Sequence, residues 1–294
     1  MRSVVISIAT TLAIVVAAPC TVGCMPVPPP LALETRYAER GPWDVVSEVI
    51  EAADGTPYQL YRPDAVVAAG DVGWPIVAWG NGTIANPDNY IALHEHLASR
   101  GFVVVDSFSE TTGTGREIAA SVQLLLDDNA RVDSAVFRQL DVEHIAAVGH
   151  SQGATGVINA QTDFSVGPAI STVVSVALPA LHWCDEKDTY DTSRLSSSFL
   201  ILGGADDQIV SPAFSNQAAL RALSPSLRGA MGLVRGAGHS AIEDDGTVLR
   251  GYLTAWLSMQ LLNDDVAAAV FVGDDAEIVG NPRWQDVERR RPLL

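Results

Sequence analysis

The chain predicts an α/β fold: a doubly wound, mainly parallel sheet of about eight strands with helices on both faces. Three observations carry this. Six short runs rich in Val and Ile are continuously apolar rather than alternating, as strands covered on both faces require. Each is separated from the next by a polar or amphipathic stretch of helical period. Before them, two alternating segments flank a turn, so the sheet has an antiparallel start. At 294 residues and 48% hydrophobic content, the chain can bury one sizeable core.

The elements follow in order. Val45 to Glu51 and Tyr58 to Tyr61 read as antiparallel strands joined across Asp54-Gly55. The apolar runs are Pro75 to Trp79, Phe102 to Val105, Ile145 to Val148, Thr172 to Leu178, Phe199 to Leu202 and Met231 to Val234. Asn86-Pro87 offers a cap and a first helical position; Tyr90, Leu93 and Leu97 share a face, and Gly101 stops the helix. Ile118, Val122, Leu125 and Leu126 mark a second helix, for which Thr114 is the expected cap. Leu249, Tyr252, Leu253, Trp256 and Leu257 mark a late one.

The expected organisation is a signal over 1–24, a proline-rich spacer over 25–40 and a single domain over 41–294. Met1-Arg2 followed by the mostly apolar Val4 to Ala18 has the form of a secretory signal and is too short to span a bilayer. Thr21-Val22-Gly23-Cys24 resembles a bacterial lipobox, so the expectation is an exported protein. It is either anchored to the membrane through a lipidated Cys24 or cleaved after Ala17-Ala18. Pro26 to Pro30 would form a stiff spacer. Cys20, Cys24 and Cys184 are too few for a disulfide framework or a cysteine metal cluster. A formal charge of −17 disfavours nucleic acid as a partner.

The chemistry centres on Gly149-His150-Ser151-Gln152-Gly153, which follows an apolar run and leads into a helical segment. That is the setting of a nucleophile elbow, in which a sharp strand-to-helix turn exposes its central serine. A serine hydroxyl needs a base, and the base needs an acid to fix its tautomer. Of the six histidines, only His239 lies beyond a plausible acid strand, in the glycine-rich loop Gly236 to Ser240. Asp206 and Asp207 both end the preceding strand, and Asp207 has the better position, three residues after Gly204 and three before Val210. The oxyanion of acyl transfer needs preorganised N–H donors. Gln152 supplies one; the loop Trp79 to Thr83 supplies the other, with Asn81 preferred and Gly82 in reserve. Gly80, His150 and Trp183 are the candidate substrate-cleft residues.

At these residues the chain resembles the α/β-hydrolase superfamily, and more narrowly the compact secreted esterases that include bacterial cutinases and polyester hydrolases. The resemblance runs from about Val45 to Leu262 and is carried by Gly80, Gly149 to Gly153, Gly204 to Pro212 and His239. It implies a serine acyl hydrolase that needs no cofactor, acting on a small-molecule or polymeric ester, and places Trp183 on the cleft wall. Two departures stand out. Those enzymes usually carry an aromatic residue where this loop has Asn81, and a cysteine pair is missing from Phe271 to Trp284. Only Pro179 to Ser198 separates two core strands, too little for a helical cap, so the cleft should be open.

Other signals read as structure. His94-Glu95-His96 lacks metal-ligand spacing, because helix residues two apart diverge, and is expected on a solvated surface. Arg289 to Arg291 is expected to be a solvated basic tail, and Cys184 a small apolar filler. A monomer is expected. The alternatives are a catalytically silent binding lipoprotein of the same fold and an acyl hydrolase for a thioester, phospholipid or peptide bond.

Overall fold

The computed structural model describes residues 28–68 and 70–290. The expected signal, its lipobox and Arg291 lie outside them. A nine-stranded sheet runs in the order β1-β2-β4-β3-β5-β6-β7-β8-β9. Its first members, β1 (Val45–Glu51) and β2 (Pro57–Pro63), form the antiparallel hairpin. The parallel body comprises β3 (Trp74–Gly80), β4 (Val103–Ser107), β5 (Leu140–His150), β6 (Ile170–Val176), β7 (Ser198–Gly204) and β8 (Gly229–Val234). An antiparallel edge strand, β9 (Trp284–Arg290), closes the far side.

Helices α1 (Ala32–Ala38), α2 (Ile91–Ser99) and α6 (Arg250–Leu261) cover one face of the sheet. Helices α3 (Arg116–Ala130), α4 (Gln152–Asp163) and α5 (Ala213–Ala222) cover the other. Two short helices, α7 (Asp265–Ala268) and α8 (Glu277–Gly280), complete the C-terminal part. Strand β5 shows why its run is continuous. Ala146 and Val148 pack with Leu93, Leu253 and Trp256, whereas Ile145 and Ala147 pack with Ile118, Val157 and Leu220 on the opposite side. Both sets must therefore be apolar.

Four local expectations are corrected. Residues 32–38 are helical rather than spacer. Helix α1 packs on α6, its first N–H groups at Leu33 and Glu34 donate to the Glu277 carboxylate, and buried Glu34 accepts from Asn281 and Trp284 and pairs with Arg283. Arg289 and Arg290 belong to β9, where their guanidinium groups donate to backbone carbonyls of Phe271, Gly273, Leu220 and Arg221. His94 and His96 are buried: His94 packs edge-on against Trp79 and Tyr61, and His96 bonds Thr254 and the Tyr37 carbonyl. Helix α3 is capped by Gly115 in the left-handed region at φ 79°, with Thr114 one residue outside it. A Cβ at Gly115 would meet backbone atoms of Gly156 and Ala160 in α4, so this close crossing, and not a side-chain cap, sets the start of α3.

Candidate active site

The parallel strands all point one way, so their carboxyl ends gather the loops that carry the candidate residues. Ser151 joins β5 to α4 with φ 54° and ψ −118°, a conformation that costs a non-glycine residue about 1–3 kcal/mol and lifts its side chain out of the turn. The flanking glycines make this turn sterically feasible. A Cβ on Gly149 would lie 2.3 Å from the Gly153 carbonyl oxygen, and one on Gly153 would lie 2.1 Å from the Gly80 carbonyl oxygen. The turn is pinned by the Ser151 N–H, which donates to Val176 across the sheet at 2.9 Å.

The loop after β8 brings His239 over Ser151, and the loop after β7 brings Asp207 behind His239. His239 Nε2 lies 2.8 Å from Ser151 Oγ, and His239 Nδ1 lies 2.5 Å from Asp207 Oδ2. Asp207 is buried, and its other oxygen accepts the Val210 N–H at 3.2 Å. Asp206 points to solvent and takes no part. A carboxylate can only accept, so Nδ1 carries the proton and Nε2 presents its lone pair to the serine hydroxyl. Such an arrangement can remove the serine proton as Oγ attacks an electrophilic carbon, then return it to a leaving group.

The cleft beside Ser151 has a volume of about 310 Å³ and is walled by Thr83, Gln152, Thr155, Pro179, Trp183, Cys184, Asp185, Asp188, Val210 and His239. Trp183 is half-exposed, and its indole N–H donates to the Ile209 carbonyl at 2.8 Å, so it stands on the rim as a rigid apolar plate. The segment between β6 and β7 contains only three single helical turns, at Leu181–Trp183, Glu186–Asp188 and Thr192–Arg194, and no cap covers the cleft. Cys184 sits on this wall rather than in the core. Burial, followed by the nearby Asp188 and Asp185 charges, pushes its thiol up to about 11, so it stays protonated at neutral pH.

Two expected cleft residues, Gly80 and His150, and the expected oxyanion residue Asn81 do not line this cleft. Asn81 is fully buried, its side-chain amide donating to the Ser107 and Ser109 carbonyls and its main-chain carbonyl accepting from the Thr112 hydroxyl. Gly80 ends β3 beneath α4, with Ile118 and Gly153 filling the space its side chain would need. His150 lies behind the elbow, 2% exposed. Of the loop that follows β3, Thr83 is the residue that lines the cleft. The Gly82 N–H is already given to the Tyr90 hydroxyl at 3.3 Å.

One further wall residue carried no sequence signal. Asp188 is buried beside Gly113 and accepts from the Gln152 side-chain amide at 2.7 Å, which holds the residue after Ser151 in place. Among the described residues, no group of three or more His, Cys, Asp or Glu side chains could hold a metal ion.

The PETase family, described as PET hydrolase-like, matches this chain over residues 22–283. The chain belongs to the PET hydrolase-like family. Its sheet is that of the α/β-hydrolase members of the cutinase and polyester hydrolase type, and the match takes in the elbow, the Asp207 loop and the His239 loop together. Family membership makes the protein an ester hydrolase of the α/β-hydrolase type.

Proposed function

We propose that this PET hydrolase-like protein is an exported serine carboxylic ester hydrolase that acts through an acyl-enzyme on exposed or polymeric esters, in the manner of a cutinase. The single observation that carries the mechanism is the continuous Ser151–His239–Asp207 hydrogen-bonded chain. His239 Nε2 takes the Ser151 proton while Oγ bonds to the ester carbonyl carbon. The resulting oxyanion accepts N–H groups from Gln152 and, in place of Asn81, from Thr83, the two cleft residues that flank Ser151 from the α4 and β3 sides. As the tetrahedral intermediate collapses, the C–O bond breaks and the alkoxide leaves with the proton from His239, giving alcohol and acyl-Ser151. Water then gives a proton to His239, attacks the acyl carbon, and the second collapse returns the proton to Ser151 and frees the acid. Asp207 stays ionised throughout and offsets the charge on the imidazolium.

The open cleft, the exposed Trp183 and the apolar Pro179 and Val210 support bulky esters, including segments of a chain longer than the cleft itself. The segment before residue 28 supports export, by cleavage of a signal or by lipidation of Cys24. We take the protein to work as a monomer.

The test is a panel of p-nitrophenyl esters graded by acyl length, run beside an aromatic polyester film and the Ser151→Ala variant. Turnover of the soluble esters and product release from the film, both lost in the variant, are the expected results. Binding of esters without turnover by the intact chain would instead identify a silent binding protein.

A further inference from the structure

A second hydrogen-bonded chain runs behind the nucleophile and joins three of the loops that build the site. The Gly82 N–H can only donate, so the Tyr90 hydroxyl oxygen accepts it at 3.3 Å. The single hydroxyl proton of Tyr90 is then directed to His150 Nδ1, 2.9 Å away. At the other end, the backbone carbonyl of His239 can only accept, so His150 Nε2, at 3.1 Å, carries the ring proton. Every donor and acceptor in this chain has one consistent direction, from the loop after β3, through the elbow, to the loop that bears the base. Tyr90 and His150 are buried. Burial, then the neighbouring His239 ring, pushes the His150 imidazole down to about 4, so it remains neutral across the working range.

We propose that Tyr90 and His150 are positioning residues for this hydrolase: the Tyr90 hydroxyl holds His150 in its Nε2–H tautomer, and that N–H clamps the main chain of His239 so that its ring meets Ser151. The inference rests on the serine hydrolase reading given above. His150 adjoins Ser151 in sequence, and its ring centroid is 5.2 Å from that of His239, so one side chain spans nucleophile and base. The groups that face it are the Tyr90 hydroxyl, the Glu243 carboxylate at 3.9 Å from Nδ1, and the His239 ring with Asp207 behind it. With the hydroxyl gone, Nδ1 is free to take a proton beside Glu243. The charge so created would then oppose protonation of His239.

The experiment compares Tyr90→Phe, His150→Leu and His150→Gln with the wild type on p-nitrophenyl butyrate, as kcat and KM against pH, with Ser151→Ala as control. Melting curves and burst titration correct each rate for folded, competent enzyme. Y90F and H150L are expected to lose about 10-fold or more in kcat with KM changed less than about 2-fold, as a misplaced base requires. H150Q, whose side-chain amide can still donate to the His239 carbonyl, is expected to recover most of that loss. The acid limb of Y90F is expected to move to lower pH. Wild-type kcat and an unmoved profile in both Y90F and H150L would overturn the proposal, as would losses that merely track the folded fraction. Activity surviving in S151A would instead overturn the reading beneath it.

Discussion

Replacing Asp207 by Asn asks the most of the site with the least change in shape. The asparagine oxygen can keep the Val210 N–H, so the loop after β7 retains its anchor. Its amide, however, would place an N–H against His239 Nδ1, where a carboxylate now lies at 2.5 Å. The imidazole would then accept at Nδ1 and carry its proton on Nε2, pointing a donor at Ser151 instead of a lone pair. Two costs follow. Losing a carboxylate about 4 Å from the charge centre of the imidazolium removes about 4 kcal/mol at an effective dielectric of about 20, or about 10³-fold in rate. Restoring the productive tautomer against the new amide costs about another factor of 10, giving a fall of about 10⁴-fold in kcat. Initial rates on p-nitrophenyl butyrate measure it, with circular dichroism to establish the fold. Asp206→Asn is the matched control and should keep wild-type rates, because Asp206 faces solvent. Retention of more than about a tenth of the activity in D207N, or an equal collapse in D206N, would refute the reasoning.

Two further outcomes are expected. His94 is enclosed by Tyr61, Trp79 and Tyr90, and burial pushes it down from 6.5 to about 3. The unfolded chain therefore binds a proton below pH 6.5 that the folded chain refuses, and stability falls as pH drops through that window, by about 2 kcal/mol at pH 5. His94→Phe should lose this part of the acid sensitivity, so the wild-type melting temperature should fall further than the variant's between pH 7 and pH 5; equal falls would contradict it. Trp183→Ala removes the exposed plate on the cleft rim while leaving the hydrogen-bonded chain at Ser151 untouched. It should raise KM for aryl esters about 10-fold and leave kcat for ethyl acetate within about 2-fold, as loss of a stacking surface does.

The interior of the sheet was readable because strands covered on both faces must be apolar at every position, as Val103 to Val105 and Phe199 to Leu202 are. Edge strand β9 follows a weaker rule. Trp284 packs inward, while Arg289 and Arg290 reach back to carbonyls of neighbouring segments, so the run looks like a solvated tail in one dimension. The N-terminal half of β5 was missed for the same reason, since Glu143 and His144 interrupt its apolar pattern. Chain order brings forward Ser151, Asp207 and His239, which the structure joins by hydrogen bonds, because each stands after the end of a recognisable core strand. It did not suffice for the oxyanion loop, where Asn81 turns inward to the Ser107 and Ser109 carbonyls and Thr83 reaches the cleft instead. Burial of His94 and His96 was hidden because the aromatic and hydroxyl partners that accept them come from distant elements, including Tyr61 and Thr254.

The most direct test of Ser151 as the nucleophile is the covalent adduct itself. Treated with a fluorophosphonate and digested, the wild type should yield one modified peptide, with the added mass on Ser151. Ser151→Ala should yield none, and His239→Ala should label at least about 100-fold more slowly, as loss of the general base implies. A label on Cys184 or on another serine, or equal labelling of all three proteins, would contradict the account.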